Sequence, residues 1–274
     1  MVHAPVLAAG PETTLSGVWA RRPEQAEKVA DRHGAVACAS VDELFERSDA
    51  IAFAVPPAVQ AELAVLAARA GKALLLEKPI AGDLAGAEAL ADAVDRAGVA
   101  SMVVLSWRYS AAVREFLAGA PSVGAFGGRG VFVSGALLGG PFATPWRLER
   151  GPLLDLGPHV LDLLDAALGP ITGVRAHGTL LGWVGLLVDH EGGAVSEASL
   201  CATSALEPHR AGVELYGADG VHEIDCVGAV GVEAFATLRA ELAHAVRTGE
   251  RHPLDVHRGL HLQRLLHDAE TQLL

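Results

Sequence analysis

The chain has 274 residues, 51% hydrophobic and 20% charged, and carries a formal net charge of −12. That composition sustains a buried core and excludes a disordered chain; an acidic balance without a basic block also excludes nucleic acid as a partner. No apolar run reaches the roughly 18–20 residues of a membrane span, and the first residues lack the basic start and apolar stretch of a signal peptide, so a cytoplasmic protein is expected. In chain order, residues 2–10 read as a short helix ending at Gly10, and Pro11–Thr14 as a turn. Leu15–Trp19 reads as a strand, and Pro23–His33 as a helix with Pro23 in its first turn and Gly34 as its stop. Ala35–Ala39 is a second strand. Ser40-Val-Asp-Glu43 is a capping box opening a helix to Arg47. Strands at Ala50–Val55, Ala73–Glu77 and Ser101–Ser106 then alternate with helices at Pro57–Ala70 and Asp83–Ala97. This βαβ spacing predicts a doubly wound parallel sheet.

The pattern then changes. A helix at Ala111–Ala118 is followed by a β region from Val131 to Gly135, broken by a turn at Gly139-Gly140. A long helix spans Pro152–Leu168. Runs at Ile171–Leu181, Gly185–Asp189, Val195–Ala202, Gly212–Tyr216 and Val221–Asp225, separated by turns, predict one largely antiparallel sheet. Helices at Val232–Arg247 and Val256–Thr271 close the chain. Two domains are expected, residues 1–107 and 108–274, with the closing helices able to return to the first.

Two stretches concentrate chemistry. The first is the apolar strand that ends in Glu77-Lys78-Pro79. In open parallel sheets, ligands bind beyond the carboxyl ends of the strands. The chain has three lysines, Lys28, Lys72 and Lys78, against a large excess of arginine. A lysine at a strand end either belongs to a solvated ion pair or does chemistry for which arginine is unsuited. The second stretch is Asp155-Leu-Gly-Pro-His159-Val-Leu-Asp162. If it is helical, the three polar residues share one face at i, i+4 and i+7, among leucines. They are either a general acid/base pair at a cleft or a capping Asp with a satisfied core His. Pro158 leaves open a kink, or a helix that begins only there. His257 and His261 are at metal-ligand spacing with no third ligand, so no metal is expected. Trp146-Arg147 either shapes a pocket or packs. Cys38, Cys201 and Cys226 are isolated and odd in number, which suggests neither disulfides nor zinc.

Glu77-Lys78-Pro79 followed by Asp155-x-Gly-x-His159 resembles the glucose–fructose oxidoreductase/inositol dehydrogenase (Gfo/Idh/MocA) family. Val55-Pro56-Pro57, Trp107-Arg108-Tyr109 and Gly249-Glu-Arg-His-Pro253 extend the likeness over nearly the whole chain. The resemblance implies a Rossmann domain followed by an α+β domain with a large open sheet, through which the chain would form a homodimer or homotetramer. It implies hydride transfer between NAD(P) and a hydroxyl-bearing carbon of a sugar, cyclitol or related small molecule. Lys78 would contact the reacting oxygen, and His159 would exchange its proton with the help of Asp155. Val55, Pro56, Pro57, Glu77, Lys78 and Arg108 would line the cofactor.

The chain departs from the pattern in three places. The first strand of the sheet and the Gly-x-Gly-x-x-Gly turn are not found; Met1–Gly10 matches the helix that follows that turn. A start placed too far downstream, a non-catalytic or regulatory relative, or another element filling the gap would each account for this. After the first strand read here, Arg21-Arg22 stands where an NAD enzyme offers an acid, which favours NADP with NAD as the alternative. Gln60 stands where many relatives carry His, which weakens any claim on that position.

Overall fold

In the computed structural model the described residues are 3–273. They divide into two compact units. One runs through Val104 and takes back Phe235–Leu260; the other holds Leu105–Ala234 and the chain from His261 onward.

The first unit is a parallel α/β array. Its helices are α1 (His3–Ala8), α2 (Pro23–His33), α3 (Val41–Arg47), α4 (Pro57–Arg69) and α5 (Leu84–Ala97). Its strands are β1 (Gly17–Val18), β2 (Val36–Ala37), β3 (Ala50–Ala52), β4 (Ala73–Leu76) and β5 (Ser101–Val103). The strands form two separate parallel groups, β1-β2 and β3-β4-β5. Neither β1 nor β3 has a second ladder partner among the described residues. β4 is central in its group and buried at every position, as its unbroken apolar run requires. Local signals set the helix starts. Ser40 Oγ accepts from Glu43 N at 3.1 Å, and Glu43 Oε2 accepts from Ala39 N at 2.8 Å, close to the expected capping box. Asp83 caps α5 in the same way, accepting from Gly86 N at 2.8 Å. The chain returns to this unit through α8 (Val232–Thr248) and the start of α9 (Val256–Glu270). Val103 N donates to Leu254 O at 2.7 Å, and Val256 N donates to Ser101 Oγ at 3.1 Å. Arg239 of α8 donates to Glu12 and to Val6 O, which fastens the end of α1.

The second unit is a six-stranded sheet with one long helix against one face. Its strands are β6 (Ala125–Val133), β7 (Ile171–Gly178), β8 (Val184–His190), β9 (Val195–Cys201), β10 (Arg210–Gly217) and β11 (Gly220–Asp225). They lie in the order β11-β10-β6-β9-β8-β7. All pairs are antiparallel except β6 with β9. The sheet is therefore mixed, because β6 comes from before the long helix and inserts between strands that come after it. β6 also starts at Ala125, earlier than the expected Val131. The sequence Ala-Phe-Gly-Gly-Arg-Gly reads as a loop, and its strand state comes from having partners on both sides.

The helix α7 (Pro145–Leu168) begins earlier than its apolar pattern predicts. The only non-helical position inside it is Gly151, at φ 66°. The segment from Pro152 is therefore a fresh helix start, with proline where its missing N–H costs little. Pro158 lies inside the helix with helical φ/ψ around it and does not begin it.

Register explains why α7 fits the sheet. Gly128 and Gly130 face it from β6. A Cβ on Gly130 would lie 2.3 Å from Val160 Cγ1, and one on Gly128 would lie 2.7 Å from Leu168 Cδ1. The glycines let the buried face of α7 lie directly on backbone. The opposite face carries Arg175, Leu187, Glu197, Arg129, Glu214 and Glu223 in one cross-strand row. Phe126, Leu187, Val195 and Val221 are each more than half exposed there or at its rim. No helix of the described residues is long and apolar enough to cross a membrane.

Gly130→Ala is expected to lower stability by about 1–3 kcal/mol through overpacking against Val160. Urea unfolding followed by circular dichroism measures this, and an unchanged midpoint would show that α7 does not depend on the glycine.

Candidate active site

In the first unit, the candidate residues Glu77 and Lys78 lie at the carboxyl end of β4. Past Leu76 the chain leaves its ladder, and residues 77–80 need other partners for their backbone. A single side chain supplies most of them. Gln60 of α4 is fully buried. Its Oε1 accepts from Glu77 N at 2.8 Å. Its Nε2 donates to Glu77 O at 2.8 Å and Ile80 O at 3.1 Å, with Pro79 O at 3.4 Å. The Lys78–Pro79 peptide bond is cis. Glu77 uses both carboxylate oxygens: Oε1 lies 2.7 Å from His3 Nε2, and Oε2 accepts from Lys78 N at 3.3 Å. Lys78 itself is half-buried.

Pro57 opens α4 directly after β3 and is buried, Val55 is half-buried and Pro56 is exposed. Arg21 and Arg22 are exposed at the start of α2. Arg22 is the N-cap residue and makes no side-chain cap bond.

The other unit carries its own candidate residues, on α7. Asp155, His159, Asp162 and Asp165 form one polar stripe and are all buried. The expected spacing i, i+4, i+7 therefore extends by one further residue. Buried carboxylates must be matched, and each is matched from a different element. Asp155 pairs with Arg147 at 3.0 Å, and the Arg147 guanidinium lies 4.5 Å from the Trp146 ring centre and 5.9 Å from that of Phe142. Asp162, 1% exposed at its side chain, takes Arg108 Nη1 on both oxygens, at 3.1 and 3.0 Å. Asp165 Oδ2 accepts from Ile171 N and meets His261 Nε2, both at 2.8 Å. The His159 ring sits between aromatic groups, with its centre 5.1 Å from Trp107 and 6.3 Å from Phe132.

The structure brings Glu77 and Lys78 together in one unit, and Asp155 and His159 in the other. Arg108, which the resemblance puts at the cofactor, is held by Asp162. His261 belongs to Asp165 and His257 to Asp95, so the i, i+4 histidine pair is structural. Among the described residues no cluster could hold a metal ion.

Sequence reasoning did not find His3 and read Gln60 only as a departure from a pattern. The signal for Gln60 was present: Pro57, Gln60, Ala61, Ala64, Ala67 and Ala68 form the buried stripe of α4, and Gln60 is the polar member of it. For His3 no signal was available, because its partner is 74 positions away.

Comparison with known proteins adds the following. The model of the Gfo/Idh/MocA oxidoreductase family, NAD-binding Rossmann fold, matches residues 1–105. A dTDP-3,4-didehydro-2,6-dideoxy-alpha-D-glucose 3-reductase of Streptomyces violaceoruber is 31% identical over 244 residues, which are 81% of this chain and 68% of that protein. The fold is shared with GenD2 from gentamicin A biosynthesis, solved with NAD: TM-score 0.88 at 20% identity, covering 98% of this chain and 89% of that one. It is also shared with KijD10 of Actinomadura kijaniata, a 3-ketoreductase solved with TDP-benzene and NADP: TM-score 0.80 at 19% identity, covering 98% and 92%.

Arg108→Ala would take from buried Asp162 the guanidinium that meets both of its oxygens and is expected to cost about 3–5 kcal/mol. Chemical denaturation reads this cost; a loss below about 1 kcal/mol would mean the pair contributes no more than an exposed one.

Proposed function

The chain belongs to the Gfo/Idh/MocA family of oxidoreductases, and from that premise we propose how it works on a sugar or polyol. The reading is that it moves a hydride between NADP and a carbon bearing a hydroxyl or keto oxygen. The observation that carries this is the matched polar stripe of α7. Asp155 and His159 are held in an apolar setting by partners that leave no buried carboxylate of the stripe unmatched. Such matching fits residues kept for chemistry rather than for packing.

The bound nicotinamide supplies or accepts the hydride. The chain's own residues do the rest. Lys78 donates a hydrogen bond to the reacting oxygen and stabilises the negative charge that develops there. His159 removes the hydroxyl proton in oxidation and returns it in reduction. Asp155 orients the imidazole, and Arg147 holds Asp155. Trp107 and Phe132 restrict the ring of His159, so its proton-exchanging nitrogen keeps one direction.

The residues present fit a phosphorylated dinucleotide. Two exposed arginines at the start of α2 oppose the helix dipole, and a 2′-phosphate would offset that cost. With Val55, Pro56, Pro57, Glu77 and Lys78 they form the cofactor-binding set we assign. Oxygen-rich substrates suit hydrogen-bonding groups such as a lysine, a histidine and a carboxylate. The open face of the six-stranded sheet, with Phe126, Leu187, Val195 and Val221 exposed, is the surface we assign to homo-oligomer formation.

The test uses NADP⁺ with D-glucose, with myo-inositol and with a dTDP-linked hexose, following absorbance at the reduced-nicotinamide band. Lys78→Ala is expected to lower kcat about a hundredfold to a thousandfold. His159→Ala is expected to lower it by a similar factor. Wild-type turnover in both variants would remove the assigned roles.

A further inference from the structure

We propose that Gln60 is the positioning residue for Lys78. It is the side chain that converts the end of β4 into a rigid base for the lysine. The inference rests on the role given to Lys78 above, but its geometry stands independently.

Residues 77–80 lie past the last ladder bond of β4, which runs from Val104 N to Leu76 O. Buried N–H and C=O groups there carry a desolvation cost if unmatched. No strand or turn bond matches the N–H and C=O of Glu77 or the C=O of Ile80; the Gln60 amide does. One planar group thus holds the residue before Lys78 and the second residue after it. Pro79 O, at 3.4 Å from the same nitrogen, is a weaker third acceptor. With both flanks tied to α4, the Cα of Lys78 has little freedom, whatever the flexible end of its side chain does.

The chemistry of the site allows few side chains other than an amide. It needs one acceptor aimed at an N–H and two donors aimed at carbonyls, on a planar group of this reach. Glutamate keeps the acceptor and places a second oxygen against the carbonyls. Methionine keeps the length and offers neither function. Histidine keeps one donor and one acceptor. Gln60 is also beyond contact with any substrate, because it is fully buried. Its effect on chemistry must therefore pass through Lys78. Active sites depend on this kind of support, because a lysine displaced by an ångström loses its hold on the reacting oxygen.

The experiment compares the wild type with Gln60→Glu, Gln60→Met and Gln60→His in the unliganded full chain. Acetylation by N-hydroxysuccinimidyl acetate is quantified at Lys78, with Lys28 and Lys72 as internal references. Hydrogen exchange is followed in the peptide spanning residues 76–83. In Gln60→Glu and Gln60→Met, exchange of that peptide is expected to rise about tenfold or more, and the Lys78:Lys28 labelling ratio to change with it, while Lys72:Lys28 stays fixed. Gln60→His is expected to restore both readouts in part. A merely structural role would move all three lysines together and show no graded rescue. If Gln60→Glu and Gln60→Met do not fold, Gln60→His alone decides, by the same ratio.

A folded variant whose Lys78 ratio and local exchange match the wild type overturns the proposal. The enzyme reading fails separately: wild-type protein that binds no NADPH, with Lys78 still coupled to Gln60, removes the reading and leaves this inference standing.

Discussion

A carboxylate taken out of water must be matched, and the second unit is organised around that requirement. Left alone, a buried ion would cost several kcal/mol. Asp155, Asp162 and Asp165 share one face of α7, and the chain meets them with Arg147, Arg108 and the pair Ile171 N–His261. Each partner comes from a different stretch of sequence. Satisfying the stripe therefore fixes how the 3₁₀ turn at Ser106–Tyr109, the first part of α7, the start of β7 and the first half of α9 meet. The apolar side of the same helix makes the complementary demand, and Gly128 and Gly130 meet it by letting the helix approach the sheet.

The first unit solves a related problem in its backbone. A strand that delivers a residue to a ligand must stop pairing, and the residues after it lose their ladder. Gln60 replaces the ladder with a side chain, and His3 holds Glu77 from α1. One unit thus ties down the backbone around a lysine with hydrogen bonds, and the other matches the charges of its buried carboxylates and packs a histidine against aromatic rings. In both, the residues assigned to chemistry are held by groups assigned to none of it.

How much of this the sequence exposed depends on the range of the interaction. Local signals were readable: the box at Ser40–Glu43, the buried run of β4, and the helical spacing of Asp155, His159 and Asp162. The α/β layout with its second large sheet followed from the spacing of those signals. What the sequence hid was non-local. The strand state of Ala125–Gly130 comes from neighbours on both sides, and glycines argue against it locally. The pairing of Arg108 with Asp162 spans 54 residues and has no local signal. Gln60 looked like a departure from a pattern, and its role appears only once residues 77–80 are placed beside it. Pro158 suggested a helix that begins only there, and the backbone before it is already helical from Pro152.

The proposed role of Arg21 and Arg22 is to favour the phosphorylated dinucleotide. Titration of the wild-type protein with NADPH and with NADH, read by the reduced-nicotinamide fluorescence, tests this most directly. Saturable binding of both, tighter for NADPH, is the predicted result. No binding of either at millimolar concentration would contradict it.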